Sequence, residues 1–213
     1  MAVRADLNIS LDGVATPPDP TPEKPMGADW EHLTAAYAAT RTFRERVLGE
    51  TSSEGTTGLD DAYAAAYFEG VGAEIMGAGM FGLHAFPDDP SWTGWWGDEA
   101  PFRVPVFVLT HAPRPAVTMA NGTSFEFLSV TSAEALERAR AAAGDQDVRI
   151  GGGTGVVRDF LSAGLVDHLH VSVAPIVLGR GARLWDDLRM LETDFTVASE
   201  TAESGTIHVT FRR

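Results

Sequence analysis

Short β-prone runs alternate with helical patterns along most of this chain, and that alternation leaves few architectures open. The β-prone runs cover residues 3–9, 73–76, 104–110, 125–129, 148–150, 168–174, 195–199 and 207–211. Helical periodicity fills 30–48, 59–69, 132–143 and 156–163, between several of these runs. A helix between two strands carries the chain back across the sheet, so strands joined in this way run parallel. The last two runs are joined only by the short polar stretch 201–206, which permits an antiparallel hairpin and no crossover. The expected fold is α/β, in one domain spanning 1–213. It has a central, mostly parallel sheet of about eight strands, a C-terminal antiparallel hairpin and about four flanking helices.

Two helices carry end signals. Thr131 and Glu134 make a capping box before 132–143, where Ala135, Leu136, Ala139 and Ala143 share one face and Gly144 stops the run. The other starts at Thr154 and ends at Gly164, with Leu165 placed for a Schellman contact. Three stretches leave this framework: the proline-rich 17–25, the polar 49–58 and the aromatic 87–103 with Trp92, Trp95 and Trp96. Loops of that length in a compact domain are functional or disordered. The first and third are expected to form pocket walls, with the third over a ligand mouth or a subunit contact; the second is expected to be a mobile surface loop.

Composition narrows the function. A formal charge of -14 with no Lys/Arg stripe argues against nucleic acid and anionic membranes as partners, so a bound anion must be held locally. Cysteine is absent, which excludes disulfides and thiolate chemistry. No apolar run reads as a signal peptide or a membrane span, and a cytoplasmic protein acting on a small molecule is expected.

The segment Gly151-Gly152-Gly153-Thr154-Gly155 follows a short strand and opens a helix. Glycines let a backbone turn sharply and approach a ligand closely, while a helix start offers unpaired N–H groups to a phosphate. A plain strand-to-helix connection would need only one glycine. The dinucleotide fingerprint of the doubly wound fold is not met, because its third glycine falls on Val156. Nor is there the Gly-Lys-Ser/Thr of a nucleotide-hydrolysing loop.

In their order along the chain, Ile9-Ser10-Leu11-Asp12-Gly13, Ile75-Met76-Gly77-Ala78-Gly79-Met80-Phe81, the glycine turn and Pro175-Ile176-Val177-Leu178-Gly179-Arg180-Gly181-Ala182-Arg183-Leu184-Trp185 resemble the dihydrofolate reductase-like superfamily. The likeness is strongest to the reductase domain of bifunctional riboflavin biosynthesis proteins and its stand-alone bacterial homologues, and it runs along nearly the whole chain. It implies an NADPH-dependent reductase acting on a small heterocyclic or carbonyl-bearing substrate, and a homodimer.

Residue by residue, the resemblance places Asn8 and Ala15 at the nicotinamide. It puts Ile150, Gly151, Gly152, Gly153, Thr154 and Gly155 at the diphosphate, and Thr110, His111 and Arg114 near the adenosine 2′-phosphate. Gly77, Ala78, Gly79 and Met80 stand where relatives carry Gly-Arg-x-Thr, so the phosphate-binding arginine and hydroxyl are both replaced here. That loss keeps two alternatives open: a deazaflavin as hydride carrier, and a non-catalytic ligand-binding protein of the same fold. The proton donor is unassigned; Asp29, Glu31 and His32 stand nearest to the family's helix-borne carboxylate. Acids in a first helical turn ordinarily answer the helix dipole, which applies equally to Asp60 and Asp61. His168 and His170 project from one strand face, read as solvated, and no metal is expected.

Overall fold

In the computed structural model, which describes residues 1–213 except Pro22, Pro25, Ser53, Pro87 and Asp88, the alternation closes into one large sheet. Its strands and those of a small second ribbon are β1 (Val3–Ser10), β2 (Val14–Thr16), β3 (Val71–Gly77), β4 (Pro105–Leu109), β5 (Val117–Thr118), β6 (Ser124–Leu128), β7 (Asp147–Gly152), β8 (His168–Ala174), β9 (Ala182–Arg183), β10 (Thr196–Thr201) and β11 (Ile207–Arg212). The large sheet has nine strands in the order β10-β11-β8-β1-β7-β3-β4-β6-β5, and β2 pairs with β9 apart from it. From β8 to β6 every pairing is parallel. The hairpin β10–β11 joins β8 antiparallel. All eight expected runs are strands of this sheet. The ninth, β5, and the ribbon strands β2 and β9 have only two or three residues each, too few for a period-2 signal.

The helices are α1 (Trp30–Leu33), α2 (Ala35–Ala38), α3 (Arg41–Arg46), α4 (Leu59–Ala66), α5 (Ala78–Phe81), α6 (Ser132–Ala143), α7 (Thr154–Ser162) and α8 (Leu191–Asp194). The two helices with end signals form as expected. Thr131 and Glu134 cap α6 reciprocally, while Gly164 and Leu165 close α7 through N–H bonds to Leu161 and Phe160. The continuous helix expected over 30–48 is instead three short ones. Thr34 turns its hydroxyl back onto the Trp30 carbonyl. Thr40 donates to the Tyr37 carbonyl, accepts from the Phe43 N–H and adopts extended φ/ψ, so it ends one helix and starts the next.

The two faces of the sheet differ in chemistry. On one, Val3, Ala5, Leu7 and Ile9 of β1 join Ile75, Ile150, Leu169 and Val171 beneath α6 and α7 in the larger core. On the other, the polar phase of the same strands carries Arg4, Asp6, Glu74, Arg149, His170 and His208, with Tyr63 of α4 stacked over both histidines at 4.3 and 4.2 Å. A second core, with Met76, Phe81, Val108 and Phe125, lies toward β4 and β6. Each large side chain fully buried there contributes roughly 1.5–3 kcal/mol. Trp92 and Trp96 pack against this second core. Of the two proline-bounded loops, Pro22, Pro25, Pro87 and Asp88 lie outside the described residues.

Two sequence readings need correction here. His170 is buried, 3% exposed, rather than on a solvated face, because α4 covers this part of the sheet. Asp60 is more than a dipole-answering residue: at 9% exposure it pairs with His208 Nε2 at 2.9 Å. Asp61 accepts the Thr42 N–H. Among the described residues no helix is long and apolar enough to cross a membrane.

Candidate active site

The C-terminal ends of β3, β4 and β7 open onto a cavity of about 1610 Å³. That exceeds the roughly 300–1,000 Å³ of a pocket for one drug-sized ligand, so a dinucleotide and a second molecule fit together. Asn8 and Ala15 line it, as do Gly77, Ala78, Gly79 and Met80, then Thr110, His111 and Arg114, and the whole turn from Gly151 to Gly155. Segments far apart in sequence therefore meet around one space. Ile150 does not line it; it is fully buried in the larger core, its side chain directed to the opposite face. Of the three residues at the first helix, Glu31 reaches the cavity and is exposed, whereas Asp29 and His32 are not on its wall.

The glycine turn has the form of a cradle. Gly152 sits at φ +124°, a region side chains avoid. A Cβ on Gly153 or Gly155 would meet no atom within 4 Å, so both face open space. No side chain caps the nine-residue α7, which leaves its first-turn N–H groups and the positive end of its dipole to the cavity. Thr154 is tied to Thr16 by a hydroxyl–hydroxyl bond of 2.5 Å, fixing the turn to β2. A Cβ on Gly77 would lie 3.0 Å from Val156 Cγ2, so the end of β3 packs directly on the first turn of α7. These features fit a diphosphate held by backbone groups.

Arg114 stands at the rim, donating to the Pro90 carbonyl at 2.5 Å and lying 5.5 Å from the Phe127 ring centroid. Trp95 and Trp96 form part of the wall. The Trp95 indole N–H is buried without a partner among the described residues.

Beneath the turn lies a charged floor that sequence reasoning missed. Arg149 donates from Nε to Asp6 at 2.9 Å and from a terminal nitrogen to Glu74 Oε2 at 3.2 Å, and its guanidinium lies 4.8 Å from the Tyr67 ring centroid. All four of these residues line the cavity. From Asp6 a row of polar groups crosses the sheet: His170 Nδ1 is 3.5 Å from Asp6 without hydrogen-bond alignment, His170 meets His208 at 3.0 Å, and His208 meets Asp60. Burial pushes the Asp6 carboxyl up, but His170 and the Arg149 charge more than reverse this and hold it at about 2. For Glu74 burial prevails over Arg149, and the neighbouring Asp6 charge adds to it, so its carboxyl is raised to about 7. Burial raises the Tyr37 phenol to about 12 and Tyr67 well above its ordinary value.

The signals for this floor were present. Glu74 is the single charge in the otherwise apolar strand VGAEIMG, and Asp6 occupies the polar phase of VRADLNIS. Both strands are central, where a charge needs a buried partner.

A putative riboflavin biosynthesis protein from Shewanella sp. PV-4 superposes with a TM-score of 0.60 at 19% identity, covering 100% of this chain and 99% of that one. A pyrimidine reductase-like protein from Corynebacterium diphtheriae gives 0.47 at 16% identity over 99% and 91%. Dihydrofolate reductase from Enterococcus faecalis, complexed with NADP(H) and RAB-propyl, gives 0.49 at 11% over 100% and 96%. An uncharacterised Bacillus subtilis protein, YyaP, is 30% identical over 66 residues, 31% of this chain and 35% of that protein, so the match spans about a third of that relative. The family described as the RibD C-terminal domain matches residues 1–209. With that span matched, the chain belongs to the RibD C-terminal domain family.

Proposed function

We propose that this protein is a reductase that binds NADPH along the Gly151–Gly155 turn and reduces a small, neutral heterocyclic or carbonyl-bearing substrate seated over the Asp6–Arg149–Glu74 floor. The observation that carries the reading is the uncapped, glycine-lined start of α7 facing a cavity large enough for two ligands. When bound, the reduced nicotinamide supplies the hydride. The first-turn N–H groups of α7 hold the diphosphate, Asn8 and Ala15 flank the nicotinamide, and Trp95 and Trp96 exclude water from the wall. Arg114 offers its remaining N–H groups to the 2′-phosphate. The chain acts as a homodimer in this reading, which sedimentation checks.

Calorimetric titration of NADPH tests the central claim. Wild type binds, and Gly153→Val, whose side chain enters the open space of the cradle, loses at least about tenfold in affinity, or about 1.4 kcal/mol, while remaining folded by circular dichroism. Equal binding by the folded variant would reduce the turn to a connector. One observation favours a second carrier: Ala78 and Met80 replace the family's arginine and threonine, as a deazaflavin reductase would tolerate. A purified protein that carries the yellow absorbance of a deazaflavin and ignores NADPH would decide for it.

A further inference from the structure

The charged floor holds one guanidinium between two carboxylates, and the two are not equivalent. Asp6 receives the Arg149 Nε hydrogen at 2.9 Å and has His170 on its other side. Glu74 receives one hydrogen at Oε2, while its second oxygen, Oε1, is buried with no hydrogen-bond partner among the described residues. Oε1 lies against Gly151, where any Cβ would collide with it, so the absence of a side chain at the first residue of the turn makes room for the carboxyl. Glu74 is 2% exposed yet lines the cavity. A bare carboxylate oxygen in such a place loses its hydration without compensation, whereas a protonated oxygen is neutral and can donate to whatever enters. With Arg149 positive and Asp6 negative, a neutral Glu74 also balances the local charge.

We propose that Glu74 is the proton donor of this site, protonating the substrate atom that gains an electron pair when its neighbour is reduced. The inference rests on the reductase reading above. When a hydride from a reduced nicotinamide reaches the carbon of a C=O or C=N bond, the π pair retreats onto oxygen or nitrogen. The Glu74 O–H bond breaks, the new O–H or N–H bond forms, and the carboxylate left behind keeps its hydrogen bond from Arg149 until water in the cavity restores the proton. With Arg149 and Asp6 paired and Glu74 neutral, the floor presents no net charge, which suits a neutral substrate. Asn8, on the same face of β1 as Asp6 and two residues further, stands about 7 Å along the strand from it, and Asp6, Asn8 and Glu74 all line the one cavity.

The groups facing Glu74 are Arg149 from β7, Asp6 from β1 with His170 behind it, and Tyr37 from α2, while Tyr67 at the end of α4 lies against the Arg149 guanidinium. Both phenols keep their protons, and Asp6 is ionised throughout the neutral range. Glu74 is therefore the acid whose titration, raised by burial to about 7, falls in the working range.

Infrared difference spectroscopy of the whole protein tests the proton directly. A carboxylic acid C=O band should be present near about pH 5, disappear by about pH 9 with a midpoint near 7, and be missing in Glu74→Gln. A neutral cyclic dicarbonyl, isatin, serves as the substrate probe. Its addition with bound NADP⁺ should shift that band as the acid hydrogen-bonds a carbonyl. With NADPH, Glu74→Gln should lower kcat about 10²- to 10⁴-fold at unchanged NADPH affinity, with Glu74→Asp recovering part of the loss and the basic limb of the pH profile near 7 abolished. A missing band, a band that survives in Glu74→Gln, a band that ignores isatin, or an unchanged kcat in Glu74→Gln would each overturn the donor role. Failure of NADPH to bind wild type would instead overturn the reductase reading, and the pH titration of the band would still report whether Glu74 holds a proton.

Discussion

At Gly151 a Cβ would strike Glu74 Oε1, and at Gly153 it would enter empty space, so neighbouring glycines serve different purposes. Gly151→Ala should cost about 1–3 kcal/mol, since the buried Glu74 has little room to yield. In a Glu74→Ala background the same substitution should cost little, and chemical denaturation of the four proteins in a double-mutant cycle measures that coupling. Purely additive losses would mean that the two groups do not compete for space. Arg114→Ala acts at the other end of the proposed ligand. It should weaken NADPH binding by about 1–3 kcal/mol and leave NADH unchanged, as read by parallel titrations. The turn was legible in the sequence because glycine has few other reasons to cluster before a helix. The floor was not, because Asp6, Glu74 and Arg149 come from three strands and become neighbours only through the β1-β7-β3 order.

Helix ends written into local chemistry survived folding; of the two helices inferred from periodicity alone, 59–69 forms as α4 and 30–48 breaks into three. α6 carries its own cap, with the Thr131 hydroxyl accepting the Glu134 N–H and the Glu134 carboxylate accepting the Thr131 N–H. Thr131→Ala should cost about 1 kcal/mol and lower Tm by about 2–4 °C in a calorimetric scan. An unchanged Tm would show that packing of Leu136 and Ala139 alone holds the helix. Over 30–48 the apolar spacing suits one long helix, but Thr34 and Thr40 place hydroxyls where they compete for backbone groups, and the chain breaks there. The break is useful to the site: α2 and α4 meet the sheet separately, bringing Tyr37, Tyr67 and Asp60 onto its polar face. The strands were read correctly because period-2 patterns survive wherever one face is apolar. What the polar phase was for depended on which helices would cover it, and that is a tertiary fact.

Across the whole molecule, two buried carboxylates and a large negative charge act together on stability. Glu74 rises from 4.5 unfolded to about 7 folded. The folded state therefore holds a proton that the unfolded chain has released between those values, and stability falls as pH rises through that window, then levels off. At about 1.4 kcal/mol per pH unit the loss is about 3 kcal/mol. Asp6 runs the other way, from 3.8 to about 2, so its contribution is complete above 3.8 and disappears as pH falls toward 2. The formal charge of -14 at pH 7 shrinks toward zero near the pI of about 4.7, relieving self-repulsion on the same side as Glu74. Burial also lowers His168 and His208, so protonating them below 6.5 opposes the gain from Glu74, and the maximum should lie at about pH 4–6, on the acid side of the usual range of about 5–8. Chemical denaturation between about pH 3 and 9 measures the curve. Glu74→Gln removes the titrating group and should flatten the fall between 4.5 and 7 while leaving the acid limb below 3.8 in place. If the variant retains the full slope in that window, the net charge and not Glu74 sets it, and a proton held at the floor of the cavity has no thermodynamic trace.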